Sequence, residues 1–221
     1  IPKYKLPIFN NSDVFTQAVR SFENYFKTDL FVFLHRNDDD SEEFILNKCK
    51  FLGIDKFKLF EITNDTRGQA DTIAIFLKTL NKSLLNEPLY IFNIDSFRKN
   101  FLKPELSFFS NMSGYLELFR RLGNHWSFAK TNGVNVQETA EKVRISDYCS
   151  NGLYFFKTAE IFINTFSKFE KMHDGELYIA PMYNYLIADG KKIKFKIIGI
   201  NQTIFCGTPF EYEQLLNTNK K

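Results

Sequence analysis

The chain has 221 residues, of which 44% are hydrophobic and 25% charged, as in globular domains that bury a core. Its net charge of +3 comes from interspersed acidic and basic residues, which excludes the basic stripe of a nucleic-acid-binding domain. No apolar run approaches the ~18 residues that span a bilayer, and no signal peptide is visible. Cys49, Cys149 and Cys206 lack disulfide or zinc spacing, so we expect a cytoplasmic protein without membrane insertion.

Strands and helices alternate along the first half of the chain. Continuous apolar runs are typical of strands that are covered on both faces, and apolar residues three to four apart are typical of helices. The alternation predicts a mostly parallel sheet with right-handed crossovers. The predicted strands are 30–34, 57–62 and 88–95, and the predicted helices are 14–26, 44–53 and 70–80.

At about residue 113 the pattern changes to neighbouring strands, and Asn132-Gly133 is a strong hairpin signal between two of them. The residues therefore predict an α/β fold, a three-layer α/β/α Rossmann-like domain whose mixed, mostly parallel sheet carries an inserted antiparallel hairpin region. The predicted later elements are strands 114–119, 126–130 and 134–139, a strand reaching 156, helices 159–169, 177–188 and 210–217, and an edge-like strand 192–200.

Asp95 is the first candidate functional residue, because it stands at the end of the predicted strand 88–95. In open α/β sheets ligands bind outside the carboxyl ends of the strands, and a carboxylate there can hold Mg²⁺ on a phosphate. The alternative is that Asp95 caps the next turn. The acidic run 38–43 is interpreted as a solvated helix start rather than as a metal loop.

The polar loop 63–72 joins the predicted strand 57–62 to the predicted helix 70–80. A strand, a loop that contains Gly68 and a helix N-terminus together predict an anion and nucleotide cradle, although one glycine is a weak signal.

Seven short motifs stand in one order along the chain. The series resembles the sugar-1-phosphate nucleotidyltransferases and covers nearly the whole chain. Its pattern is similar to that of the capsule and surface-polysaccharide branch, in which N-x-D, W-S-[FY]-A and G-E-x-Y occur as a set. The motifs are Pro2-Lys3, Gly68-Gln69, Asn93-Ile94-Asp95, Glu141-Lys142, Asn151 to Tyr154, Gly175 to Tyr178 and Gly207-Thr208-Pro209, with Trp126 to Ala129 between the third and the fourth.

The resemblance implies a GT-A-like fold in one domain, 1–221, with a nucleotide-binding half at 1–112 and an acceptor-binding half at 113–221. It implies a bacterial, Mg²⁺-dependent enzyme that transfers NMP from CTP, UTP, dTTP or GTP to a sugar 1-phosphate or a similar small phosphorylated acceptor. Pyrophosphate leaves, and the product serves polysaccharide synthesis. No covalent intermediate is needed, so the protein positions its substrates and neutralises charge. The resemblance leaves open whether the protein forms a homo-oligomer.

The resemblance also implies residue roles. Asp95 matches the aspartate that holds the metal, and Lys3 matches a lysine that contacts the phosphates; the alternative for Lys3 is a solvated surface lysine. Gly68, with Gln69 and Asp71 beside it, matches the loop that approaches the base and ribose.

On the acceptor side, Glu141 and Lys142 match a pair that contacts the acceptor hydroxyls and phosphate, the alternative being a surface ion pair. Asn151 and Gly152 match a backbone position that lets the acceptor sit close. Glu176 either accepts a hydrogen bond from the acceptor or caps the following helix. Trp126 is interpreted as a core residue.

Two departures from the family pattern stand out. The family begins with a strand and a glycine-rich loop before the Pro2-Lys3 segment, and we expect both to be missing upstream of Ile1. Many relatives carry a second metal-binding aspartate where this chain has Phe205, and Glu211 is the substitute that the sequence offers. A GT-A-type glycosyltransferase that uses an NDP-sugar and a non-catalytic nucleotide-binding domain therefore stay as alternatives.

Overall fold

The computed structural model describes residues 1–9, 11–36 and 40–218. The chain forms two compact units that interleave along the sequence. Unit 1 comprises Ile1–Asn64, Asn93–Lys103 and Asn201–Lys221, and unit 2 comprises Asp65–Phe92 and Pro104–Ile200. This division differs from the predicted halves, whose functional meaning stays a prediction.

Strands and helices occur in both units. The strands are β1 (Pro7–Ile8), β2 (Ser12–Asp13), β3 (Phe31–His35), β4 (Phe57–Glu61), β5 (Leu89–Ile91), β6 (Ser96–Arg98), β7 (Gly114–Arg120), β8 (Ser127–Asn132), β9 (Asn135–Glu141), β10 (Tyr148–Phe156), β11 (Ile193–Ile197) and β12 (Thr203–Phe205). The helices are α1 (Val14–Arg20), α2 (Ser41–Leu52), α3 (Gln69–Leu77), α4 (Lys82–Leu85), α5 (Ala159–Met172), α6 (Met182–Ala188) and α7 (Pro209–Thr218). The mixed α/β class is confirmed.

Unit 1 contains three two-stranded ladders: β1–β2 and β6–β12 are antiparallel, and β3–β4 is parallel. Helix α1 begins at its N-cap Asp13, whose carboxylate accepts a hydrogen bond from the backbone N–H of Thr16 at 2.7 Å. The carboxylate also pairs with Lys48 of α2 at 2.5 Å, so one side chain fixes both helices. The apolar face of α1 places Phe15 and Val19 in a core cluster with residues of α2.

The helix predicted over 14–26 ends at Arg20 instead. The hydroxyl of Ser21 accepts a hydrogen bond from the backbone N–H of Arg98 at 2.8 Å, and the chain then turns into a short 3-10 helix at Glu23–Tyr25. Helix α2 carries Glu42 and Glu43 in its first turn, which confirms the acidic helix start. Residues 38 and 39 of that acidic run lie outside the described residues.

Unit 2 is built on a six-stranded sheet in the order β5-β10-β7-β11-β9-β8. Strands β7 and β11 pair in parallel, and the other described pairs of this sheet are antiparallel, so the sheet is mostly antiparallel rather than mostly parallel as predicted. The predicted hairpin is confirmed, because β8 and β9 pair through a turn at which Gly133 has a φ of +55°. The prediction that strand 192–200 lies at an edge is wrong: β11 lies between β7 and β9.

The strand predicted over 88–95 is shorter and differently placed. Strand β5 covers only Leu89–Ile91, and it pairs antiparallel with β10. Asp95 lies in a turn that immediately precedes β6, so it stands before a strand rather than at the end of one. Apolar continuity predicted a strand here, but it could not show that the chain leaves one sheet and enters another within four residues.

Helix α6 begins later than predicted, at Met182 rather than at residue 177. The backbone of Leu177 is already occupied, because its N–H donates to the carbonyl of Arg67 and its carbonyl accepts from the N–H of Ala70. These two bonds join the loop before α3 to the segment before α6 and prevent Leu177 from joining a helix. Glu176 therefore caps no helix at this position, and the capping alternative for Glu176 is wrong.

Among the helices of the described residues, none combines the length with the apolar character that crossing a bilayer requires.

Gly68 lies where the loop before α3 packs closely against Leu177 in the segment before α6. A Cβ atom at this position would stand 2.8 Å from the carbonyl oxygen of Leu177 and 2.9 Å from its backbone nitrogen. The φ of Gly68 is +131°, a conformation that L side chains rarely adopt. A glycine is therefore required by backbone packing alone.

We expect Gly68→Ala to destabilise the protein by about 2–4 kcal/mol, because a methyl group would meet backbone atoms and would also force a strained φ. The free energy of unfolding in urea measures the effect. Gly175→Ala is the matched control, since a Cβ at Gly175 meets nothing within 4 Å. Equal unfolding free energies for the two variants would contradict the packing role of Gly68.

Candidate functional site

In unit 1 a polar cluster forms around Asp95; we call Lys3, Asp95, Gly207 and Glu211 the Asp95 cluster. The β6–β12 ladder positions it, because Phe205 pairs with Ser96 and the next residue, Cys206, donates its N–H to the carbonyl of Asp95 at 2.9 Å. Residues more than a hundred positions apart are thus brought to one end of a three-pair ladder.

Lys3 bridges the cluster. Its ammonium lies 3.3 Å from Oδ2 of Asp95 and donates to the carbonyl of Gly207 at 2.7 Å. The side chains of Lys3 and Asp95 are 48% and 28% exposed, so a charged ligand can reach both. Lys3 and Asp95, both predicted as site residues, therefore lie together, and Lys3 is an exposed lysine that forms an ion pair.

Gly207 allows the carboxylate to approach the chain closely, because a Cβ atom there would stand 3.1 Å from Oδ2 of Asp95 and 3.6 Å from Oε2 of Glu211. Two carboxylates therefore flank this glycine. Phe205, where the family resemblance leads us to expect an aspartate, is partly buried in β12.

Glu211 has a structural task that explains its position. Its Oε2 accepts hydrogen bonds from the N–H groups of Gly207 at 3.1 Å and Thr208 at 3.2 Å. The hydroxyl of Thr208 accepts from the N–H of Glu211 at 3.2 Å. This reciprocal arrangement is a capping box at the start of α7, and the spacing T-x-x-E from Thr208 to Glu211 is its sequence signal.

In unit 2 a second cluster gathers at the ends of β8 and β9. Ser127 and Glu141 are directly opposite in the ladder, and the serine hydroxyl donates to the Glu141 carboxylate. The hydroxyl of Tyr154 lies 3.0 Å from Oγ of Ser127. Glu141 is therefore not half of a surface ion pair with Lys142; its carboxylate accepts from the Ser127 hydroxyl, which in turn contacts Tyr154.

Lys142 extends this cluster along a separate line of contacts. Its ammonium donates to the hydroxyl of Tyr178, which in turn donates to the carboxylate of Glu176. The φ of Lys142 is +57°, which is uncommon for a residue other than glycine and is a conformation that clusters at functional sites. We call Ser127, Glu141, Lys142, Tyr154, Glu176 and Tyr178 the Glu141 cluster.

Burial and hydrogen bonds shift the titration of the Glu141 cluster. Burial raises the pKa of the Glu141 carboxyl, and the Ser127 hydroxyl and the Lys142 charge lower it in part. The hydrogen bond with Tyr178 raises the pKa of the Lys142 ammonium. Burial raises the pKa of Tyr154 to about 12, so its hydroxyl keeps its proton. The cluster therefore offers hydroxyl groups, two carboxylates and one exposed ammonium.

The other predicted residues have definite places in unit 2. Asn151 and Gly152 are buried in β10, and the Asn151 side chain donates to Glu117 at 2.9 Å and accepts from the N–H of Leu153 at 3.0 Å. Gln69 and Asp71 lie in the first turn of α3, where Asp71 accepts from the N–H of Arg67 at 2.9 Å.

The sequence prediction missed several residues of these clusters. Ser127 could have been found from the W-S motif, and Tyr178 from the G-E-x-Y motif. Glu117 could have been found as a lone acid within the apolar strand β7. Trp126 is 8% exposed and meets Phe119 edge to face, so its interpretation as a core residue is confirmed.

We expect the Glu141 carboxylate to reduce stability as pH rises. Its folded-state pKa is above the ordinary value of 4.5, so the folded state binds more protons in the window above pH 4.5. The unfolding free energy contributed by this group therefore falls as pH rises through that window. Glu141→Gln removes the effect, so this variant should gain stability relative to the wild type between pH 4 and pH 7.

Urea unfolding at several pH values measures this difference. Glu138→Gln, an exposed position on the same strand, is the control and should follow the wild type. Parallel pH curves for Glu141→Gln and the wild type would contradict the assigned direction.

Comparisons with known proteins identify structures that are similar over nearly the whole chain. A nucleoside-diphosphate-sugar pyrophosphorylase from Vibrio cholerae RC9 is 40% identical, with a TM-score of 0.90, over 98% of this chain and 92% of its own. A putative glucose-1-phosphate thymidylyltransferase from Bacillus anthracis has 16% identity and a TM-score of 0.76 over 99% of this chain and 87% of its own. The CTP:phosphocholine cytidylyltransferase of Streptococcus pneumoniae has 14% identity and a TM-score of 0.72 over 99% of this chain and 90% of its own.

The last two similarities concern the fold alone, and with the first they confirm the predicted Rossmann-like α/β class. No protein-family model matches the chain, and a search of curated proteins finds no match. Identity of 40% over almost the full length nevertheless settles the family. The chain belongs to the sugar-phosphate nucleotidyltransferases, as the order of its motifs predicts.

Proposed function

We propose that this nucleotidyltransferase moves the NMP group of an NTP onto a sugar 1-phosphate or a similar small phosphorylated acceptor, with release of pyrophosphate. The observation that carries the proposal is the Lys3–Asp95 pair at Gly207, since it joins a cation for phosphate to a carboxylate for a metal. The motifs of the capsule and surface-polysaccharide branch support a role in supplying activated precursors for such polymers.

The donor set of the Asp95 cluster fits Mg²⁺. This ion is usually held by one or two carboxylates together with substrate phosphates and water, and Asp95 and Glu211 flank Gly207 as two such carboxylates. No group of three or more acidic, histidine or cysteine residues suited to a metal occurs among the described residues, so a site completed by the nucleotide is the arrangement that fits. Asp95 would hold the ion, which when bound would offset charge on the nucleotide phosphates.

Lys3 supplies a second, fixed positive charge. Its ammonium already bonds to a carboxylate and a carbonyl, and a phosphate oxygen can replace either acceptor. Charge that develops on the phosphates during transfer is stabilised by a cation held in this way.

The Glu141 cluster would bind the acceptor. Glu141 accepts a hydrogen bond from Ser127, and carboxylates accept hydrogen bonds from sugar hydroxyls in the same manner. Lys142, exposed and tied by Tyr178, would pair with the acceptor phosphate. The Gly68 loop, with Gln69 and Asp71, would contact the nucleotide base and ribose.

In the proposed step an oxygen of the acceptor phosphate attacks the α-phosphorus of the NTP in line. A new bond between phosphorus and oxygen forms, the bond between the α-phosphorus and the bridging oxygen breaks, and pyrophosphate leaves with the electron pair. No side chain of the protein becomes covalently attached, so positioning and charge neutralisation supply the catalysis.

A direct assay tests this function. We expect the full-length protein with Mg²⁺ and one of CTP, UTP, dTTP or GTP to release pyrophosphate only when a phosphorylated acceptor is present. Glucose 1-phosphate, inositol 1-phosphate and phosphocholine span the acceptors named for structures of this fold. Release of NDP from an NDP-sugar would favour a glycosyltransferase, and nucleotide binding without turnover would favour a non-catalytic domain.

We expect Asp95→Asn to lower turnover by about 100-fold or more, because the amide offers the metal a neutral ligand and leaves the Lys3 charge unpaired. The fold should persist, since the backbone bond of Asp95 to Cys206 remains. Steady-state kinetics and Mg²⁺-dependent nucleotide binding are the measurements.

Asp55→Asn is the matched control for this variant. Asp55 forms an exposed ion pair with Lys27 at 2.7 Å in the same unit, so its loss tests the effect of removing a surface carboxylate. We expect Asp55→Asn to retain full activity. A fully active Asp95→Asn enzyme would remove Asp95 from the mechanism.

A further inference from the structure

Strand β7 contains a buried carboxylate at its centre. Glu117 is 1% exposed, and the residues on either side of it, Leu116 and Leu118, are fully buried. Removing a carboxylate from water is costly unless hydrogen bonds compensate for the lost solvation. Its presence within an apolar strand therefore calls for a specific partner.

That partner is Asn151 on the neighbouring strand β10, which is also 1% exposed. Its Nδ2 donates to Oε2 of Glu117 at 2.9 Å, and the hydroxyl of Tyr115 lies 3.4 Å from the other oxygen. The oxygen of the Asn151 side chain accepts from the N–H of Leu153 at 3.0 Å. A single side chain thus connects the carboxylate of β7 to the backbone of β10.

This connection stands where the two strands lose their regular pairing. Ser150 pairs with Leu118 and Tyr154 pairs with Leu116, so the three residues between Ser150 and Tyr154 face Glu117 alone. Gly152, in the middle of this bulge, has a φ of +88°, and its N–H donates to the hydroxyl of Ser150 at 3.2 Å. Bulges of this kind re-aim the side chains that follow them.

The first side chain after the bulge is Tyr154. Its hydroxyl meets Ser127, which donates to Glu141. With regular pairing, Gly152 rather than Tyr154 would stand opposite Leu116, so the Tyr154 side chain would be displaced by two positions along the strand. The position of the Tyr154 hydroxyl in the Glu141 cluster therefore depends on the bulge.

We propose that Glu117 is a positioning residue for acceptor binding: through Asn151 it holds the 151–153 bulge of β10, and the bulge places the Tyr154 hydroxyl against Ser127, the residue that donates to Glu141. This inference rests on the proposed acceptor role of the Glu141 cluster. In this proposal Glu117 does not contact the substrate. It acts through its hydrogen bond with Asn151 and through the hydrogen bond of Asn151 with the backbone of Leu153.

The test compares Glu117→Met with Glu117→Gln. Methionine has a similar length but offers Asn151 no comparable acceptor, whereas glutamine keeps an oxygen for the Asn151 amide. In Glu117→Met we expect the acceptor KM to rise about tenfold with kcat within about threefold, and the KM for NTP to change less than about twofold. In Glu117→Gln we expect the acceptor KM to stay within about threefold of the wild type.

The acceptors assayed are glucose 1-phosphate, inositol 1-phosphate and phosphocholine, each with the full-length protein. Glu138→Met, at an exposed site on β9, controls for the loss of one carboxylate and should leave both KM values unchanged. An unchanged acceptor KM in Glu117→Met, or an equal rise in the KM for both substrates, would overturn the proposal.

Amide hydrogen exchange gives a readout that does not need turnover. We expect Glu117→Met to accelerate exchange at Leu153 about tenfold or more, while the paired amides of Phe155 and Phe156 keep their protection. If the wild type transfers nucleotide to none of the acceptors, the proposed function fails and exchange alone decides the role of Glu117. Unchanged exchange at Leu153 would overturn that role.

Discussion

The ladder between β6 and β12 is the contact on which the candidate metal site depends. It consists of three residue pairs, yet it joins two stretches that are separated by the larger segment of unit 2, Pro104–Ile200. One more hydrogen bond, from the N–H of Cys206 to the carbonyl of Asp95, extends it to the residue proposed to hold the metal. Lys3 then bonds to both sides of the ladder's end. The Lys3–Asp95 ion pair is partly exposed and is therefore worth about 1 kcal/mol or less. The geometry of the cluster thus depends on the strands rather than on this ion pair.

Unit 2 places polar side chains inside a sheet that is rich in aromatic residues. Glu117 is fully enclosed, and Glu141 is partly so. Both are tolerated because a neighbouring strand supplies a donor, an amide for Glu117 and a hydroxyl for Glu141. Such groups rigidify a site when every partner is present and destabilise it when one is removed. The stability that Glu141 costs at neutral pH is consistent with a site that has been shaped for ligand binding rather than for folding.

Much of the local structure could be predicted from the sequence, because helix caps, apolar spacing and the Asn-Gly turn act over a few residues. Helix α2, the β8–β9 hairpin and the role of Trp126 followed from such signals. What could not be predicted depends on distant partners. The start of α6 is set by the backbone bonds of Leu177 to a loop more than a hundred residues earlier, and the interior place of β11 is set by its two neighbours. The sequence predicts a functional role for Asp95, which stays a prediction, but apolar continuity cannot reveal that its turn leads into a ladder with β12.

The interleaved order of the two units has a consequence for how the protein is made. Strand β12 leaves the ribosome about 100 residues after β6, which at bacterial and eukaryotic rates corresponds to roughly 5–20 s. During that interval β6 has no partner strand, while the larger part of unit 2, Pro104–Ile200, is synthesised. Bringing the two strands together closes a long loop, and their pairing has to offset the entropic cost of that closure. The Asp95 cluster therefore assembles only after β12 has been synthesised, later than the strands that carry the Glu141 cluster.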